Sequence, residues 1–295
     1  MLARIFLCQD ISRPGQRRLR AGWRILAQTL ILVAITVAFY LFAWQLIAFF
    51  NANATLLLLA GQFGSFIAIT LSVYLARRFL DHRSMSSLGL QRGRQATRDL
   101  VAGFLIAGAM MLAIFMILWA GGWLAIQSFA WQNAPIQETI LTTLVFLGVF
   151  IIVGWQEELL ARGYWLQNIS EGLNIFWGVL ISSLVFSLGH LFNPNMGGLP
   201  AAGLFLAGLF LAYAYLRSRR LWLPIGLHIG WNFFEGTIFG FPVSGLNLFG
   251  LTELSVDGPA LIHGGPFGPE AGLVLLPALA LGTILVYYYT RLEAQ

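Results

Sequence analysis

Glu157, Glu158, Arg162, His190, His228 and Asn232 stand in stretches that are otherwise apolar. An ionisable side chain at the centre of a bilayer helix costs about 2.5–3.5 kcal/mol on insertion scales. The cluster Glu157-Glu158-Leu-Leu-Ala-Arg162 must therefore repay that cost by pairing or do chemistry. On a helix Glu158 and Arg162 are i,i+4 neighbours and form a pair on one face. Glu157 lies about 100° round the helix, where the same arginine neutralises it less well. Glu157 is thus the candidate base, and Glu158 and Arg162 are its support. His228 and Asn232 share a second i,i+4 face, and two such donors suit an oxyanion site. His190, set opposite Glu157, would hold a water between imidazole and carboxylate. The chemistry predicted is general-base attack of that water on a peptide carbonyl, with the proton passing from Glu157 to the leaving amine. Three alternatives stay open: interhelical polar contacts, a proton relay in a transporter, and a zinc site of the His₂Glu kind using Glu157, His190 and His228.

These residues need a membrane scaffold to position them. Of 295 residues, 58% are hydrophobic and 10% charged, with mean hydropathy +0.78. Soluble domains carry about a quarter charged residues, so an all-α polytopic membrane bundle is expected. The net charge of +5 comes from 17 basic residues placed mostly in short connections. That pattern reads as membrane topology, with no nucleic-acid partner. The single cysteine, Cys8, excludes an internal disulfide framework. The first apolar run is too long for a cleavable signal and is expected to remain as an anchor.

About eight spans are predicted from hydropathy: 23–50, 56–75, 100–119, 138–170, 174–192, 199–216, 221–239 and 271–289. Four units follow: a basic segment 1–22, N-terminal spans 23–137, a central set 138–239, and a Gly/Pro-rich loop with the last span, 240–295. Placing every Arg-rich connection on one face puts both termini in the cytoplasm and 240–270 outside. The fourth helix would be about 50 Å long against a hydrocarbon core of roughly 30 Å, so it should tilt or kink, with Gly148 and Gly154 as kink points. Counted from the turns, Glu157 and His190 lie about 22 and 27 Å in, and His228 and Asn232 about 12 and 18 Å. Three helices thus bring their polar groups to neighbouring depths, open to water from the cytoplasmic side. Glu235 reads as a structural or rim group, and His82 and His263 as solvated. Trp119, Trp123, Trp131 and Tyr287 to Tyr289 read as interfacial belts.

The same residues resemble the CPBP family of intramembrane proteases, which includes the CAAX prenyl endopeptidases and bacteriocin self-protection proteins. The family's E-E-x-x-x-R matches Glu157–Arg162, F-x-x-x-H matches Phe186-Ser-Leu-Gly-His190, and H-x-x-x-N/D matches His228-Ile-Gly-Trp-Asn232. Arg83-Ser-Met-Ser-Ser-Leu-Gly-Leu90 is similar to the loop before the family's third span. The resemblance implies an integral membrane endopeptidase of a bacterial plasma membrane, acting on a membrane-associated, CAAX-type protein or peptide without a cofactor. Glu157 and His190 would activate water, and His228 and Asn232 would form the oxyanion site. A non-catalytic immunity or scaffold member is the alternative within the family. Other intramembrane proteases fit worse, since H-E-x-x-H, a correctly spaced G-x-S-G and G-x-G-D are all missing from the sequence.

Overall fold

The computed structural model describes residues 7–9, 17–50 and 54–292. Eight principal helices follow one another: α1 Ala21–Phe50, α2 Ala54–Leu75, α3 Arg94–Ala120, α4 Ile136–Gly172, α5 Ile175–Leu188, α6 Gly198–Ser218, α7 Trp222–Asn232 and α8 Leu275–Leu292. Six of the helices are long and apolar enough to cross a membrane, and the architecture is an all-α polytopic bundle. The other two are α5, with 14 residues, and α7, with 11. At 1.5 Å per residue both are shorter than the hydrocarbon thickness. These two short helices, or the turns beyond them, carry His190, His228 and Asn232.

Hydropathy alone extends α5 to Phe192, but the helix ends at Leu188 and a turn follows. Asn174 starts it as an N-cap, its side chain accepting from the Trp177 N–H at 3.1 Å. The eighth helix begins at Leu275 instead of Ala271, because Pro269–Ala271 forms a separate turn. In α4 the departure from α-helical geometry is not at Gly148 or Gly154. It is a π-helical stretch, Leu159–Trp165, directly after the two glutamates. A second π-helical stretch, Phe233–Ile238, follows Asn232. Such widened turns occur often at functional sites, where they re-aim side chains.

The short α7 is buried along nearly its whole length, including His228 and Asn232. It lies on α3 with backbones almost touching. A Cβ at Gly230 would sit 2.6 Å from the Phe104 carbonyl oxygen and 2.9 Å from Ala107 Cβ, and one at Gly226 would strike the Leu100 carbonyl. This small-residue contact replaces hydrophobic burial as the packing device between membrane helices. On its other side, Gly154 of α4 gives way to Ile229, whose Cγ1 would lie 2.7 Å from an added Cβ. Glycine at that position serves packing and not a kink. The Ser84–Leu90 stretch fixes the start of α7, because the Gly89 carbonyl accepts from Leu221 N–H at 2.9 Å.

Helix ends on the Arg-rich face are tied by charge. Asp81 accepts from Arg24 at 2.7 Å and Arg77 at 2.8 Å, and Glu171 binds Arg24 at 2.9 Å. Asp99 accepts from Arg220 and from the Tyr289 hydroxyl. Near the N-terminus β1 Leu7–Gln9 pairs with β2 Arg17–Leu19, and at the opposite end a second two-stranded antiparallel sheet, not anticipated, pairs β3 Leu124–Phe129 with β4 Thr252–Val256. It anchors the Gly/Pro-rich segment against the bundle.

A Gly230→Val substitution should force α7 off α3 and cost about 1–3 kcal/mol, read by thermal unfolding of the purified protein in detergent. Gly148, whose added Cβ would meet nothing within 4 Å, is the contrast. Gly148→Ala should leave stability unchanged or raise it by up to about 1 kcal/mol.

Candidate active site

The helix pair expected from spacing is present and wholly buried. Arg162 Nη1 donates to Glu158 Oε1 at 2.8 Å, with both side chains at 0% exposure. The same Glu158 oxygen receives His228 Nδ1 at 2.9 Å. Arg162 Nη2 also donates to the Gly208 carbonyl of α6 at 3.0 Å. Its guanidinium lies over the Phe186 ring, 4.4 Å from the centroid. One carboxylate therefore connects α4, α7, α6 and α5.

Phe186 packs against both imidazoles as well, with ring centroids 5.2 Å from His190 and 5.9 Å from His228. The F-x-x-x-H spacing has a second consequence. His190 stands beyond the end of α5, and its Nδ1 bonds the Phe186 carbonyl at 2.9 Å. That carbonyl is one of the orphan acceptors at a helix C-terminus. The bond caps the helix, fixes the proton on Nδ1 and leaves Nε2 as the outward-facing acceptor.

Glu157 has no such commitments. Its Oε2 is buried and has no hydrogen-bond partner. It lies 3.8 Å from His190 Nε2 and 3.9 Å from His228 Nε2. Both separations exceed a direct hydrogen bond. The carboxylate and the two imidazoles share an open cavity of about 500 Å³ with Asn232. Its walls reach to Leu32 of α1 and Gln62 of α2. All six residues singled out by type and spacing thus converge, four on the cavity and two behind it.

Sequence reasoning missed two further groups. Ser244 and Glu270 come from the segment between α7 and α8 and line the same cavity. The Asn193 side chain donates to the Ser244 carbonyl at 2.9 Å and holds that segment against the His190 turn. Burial pushes the Glu270 carboxyl above the usual carboxylate range. Glu235, read as a rim or structural group, is fully buried and neither of its oxygens has a hydrogen-bond partner. The available signal was an acidic residue in an apolar Gly/Pro-rich stretch with no nearby base. Among the described residues, no group of three His, Cys, Asp or Glu side chains is gathered as metal ligands.

Residues 139–234 match the family described as type II CAAX prenyl endopeptidase Rce1-like. Over that segment, about a third of the chain, the protein is similar to the Rce1-like family. No curated protein matches it at a significant level. The Rce1-like segment contains all six residues of the convergent cluster, whereas Ser244 and Glu270 lie beyond it. That family is one of proteases, and the long apolar helices make this chain an integral membrane protein.

Removing one partner of the central pair leaves the other as an uncompensated buried charge. Glu158→Gln should therefore cost about 3–5 kcal/mol of stability, measured by denaturant or thermal unfolding. Arg162→Lys should recover only part of an Arg162→Ala loss, since an ammonium cannot both reach Gly208 and stack on Phe186.

Proposed function

We propose that the protein is an intramembrane endopeptidase that hydrolyses a peptide bond of a membrane-associated substrate with a water activated by Glu157. The supporting observation is the unpartnered Glu157 Oε2 held 3.8 and 3.9 Å from two imidazole Nε2 atoms. These gaps are too wide for direct bonds and suit a bridging water. With its Nδ1 proton committed to Phe186, His190 presents Nε2 as an acceptor. A water there donates to Glu157 and to His190, and its lone pair faces the substrate carbonyl.

Attack forms the new C–O bond and moves the water's proton to Glu157. His228, as imidazolium, donates Nδ1–H to Glu158 and Nε2–H toward the developing oxyanion, with Asn232 as the neighbouring donor. Two carboxylates, one guanidinium and one imidazolium balance in charge within the cluster. Collapse of the tetrahedral intermediate breaks the C–N bond, and Glu157 returns its proton to the amine. The products are a carboxylate and an amine. No cofactor is needed for these steps.

The reading extends to a CAAX-type substrate and to a bacterial inner-membrane protein with both termini cytoplasmic. Its supports are the family resemblance and the Arg-rich connections gathered on one face.

Glu157→Gln should abolish cleavage of a membrane-associated peptide while the protein inserts and purifies as the wild type does. Asn232→Ala should cost about 10²–10³ in kcat. Full cleavage by purified Glu157→Gln protein would overturn the assignment. Stoichiometric zinc, lost on chelation together with activity, would replace water activation by glutamate with metal chemistry.

A further inference from the structure

Glu270 stands on the wall of the cavity beside His228 and Asn232, in a segment outside the matched family region. The three residues meet again at a small apolar recess of about 40 Å³ behind the site, together with Phe186 and Trp231. Glu270 is 4% exposed and makes no ion pair with Lys or Arg among the described residues. Ser244 Oγ donates to its Oε2 at 2.6 Å. Ser244 itself is held in the left-handed region with φ 48°. A non-glycine residue there stores strain, and such strain clusters at functional sites. The Asn193–Ser244 bond supports the strained residue.

The electrostatics of this wall are unusual for an oxyanion site. An ionised carboxylate next to His228 and Asn232 would repel the developing negative charge that they are placed to receive. The surroundings work against ionisation. Burial raises the Glu270 pKa, hydrogen bonding from Ser244 and the His190 and His228 imidazoles oppose this in part, and the buried Glu235 adds a second carboxyl beside it. Glu157 lies across the same cavity. Two adjacent buried carboxyls with no Lys or Arg partner among the described residues retain at least one proton between them. With Oε2 accepting from Ser244, a proton carried by Glu270 would sit on Oε1.

We propose that the Glu270 carboxyl is a third hydrogen-bond donor to the oxyanion, beside His228 and Asn232. This rests on the hydrolytic reading of the site and deepens it. A neutral acid kept dry by its surroundings donates a hydrogen bond more strongly than an amide and carries no opposing charge. No proton leaves Glu270 in the reaction. Its donor bond strengthens as the carbonyl oxygen becomes an oxyanion and relaxes when the intermediate collapses.

The test compares Glu270→Ala and Glu270→Gln in cleavage of a peptide amide and of the matching ester with a good leaving group. Glu270→Ala should lower kcat about 10²-fold on both substrates with KM little changed. Glu270→Gln, which keeps a donor in the same shape, should recover at least about tenfold of that loss. Ser244→Ala, which leaves the carboxyl in place, should lose less than Glu270→Ala. Thermal unfolding of each purified variant separates a loss of fold from a loss of rate. Three results would overturn the proposal: unchanged kcat in Glu270→Ala, equal damage in Glu270→Gln, or loss on the amide alone. The last would assign Glu270 to protonation of the leaving amine. Failure of the hydrolytic reading is distinct, since Glu157→Gln would then cleave as well as wild type.

Discussion

The site depends on one buried oxygen, Glu158 Oε1, which accepts from Arg162 and His228 at once. A carboxylate taken out of water is tolerated only when its charge is matched and its lone pairs are used. Here the matching groups come from different elements, so satisfying the charge also fixes their relative positions. Arg162 cannot turn away without leaving Gly208 and Phe186, and His228 cannot turn without leaving Glu158. Phe186 passes the constraint to His190 through ring contact and through its own carbonyl. The freedom that remains in the cluster is at Glu157, the group proposed to activate water.

Helix length supports the same arrangement. A full span must carry lipid-facing side chains along its length, but α7 is short and enclosed, so its imidazole and amide never meet lipid. Its glycines let α3 approach closely enough to fix its depth, and α4 leans on it at Gly154. The π-helical stretches after Glu158 and Asn232 alter the helical phase at the point where the side chains of the candidate site give way to packing side chains. The segment after α7 closes the remaining wall, anchored by the β3–β4 pairing and the Asn193–Ser244 bond.

Much of this was legible in the sequence because it depends on local spacing. The i,i+4 relation separated Glu158 from Glu157, and counting residues from the turns brought Glu157 level with His190. Hydropathy located all eight helices but overextended α5, because Leu191 and Phe192 are apolar although the chain has already turned at Gly189. It also could not distinguish an enclosed helix from a lipid-facing one, since α7 is equally apolar in either setting. The π-helical stretches leave no compositional mark. The β3–β4 pairing joins strands far apart in the chain, and a Gly/Pro-rich context hides each strand. Glu270 was passed over for the same reason: only long-range folding brings it to the cavity.

The most direct test of the account is an experimental structure that resolves ordered water between Glu157 and the two imidazoles. The account predicts one water at about 2.7–3.2 Å from both Glu157 Oε2 and His190 Nε2. A Glu157 carboxylate bonded directly to either histidine would contradict it. So would a metal ion about 2.0–2.2 Å from Glu157, His190 and His228.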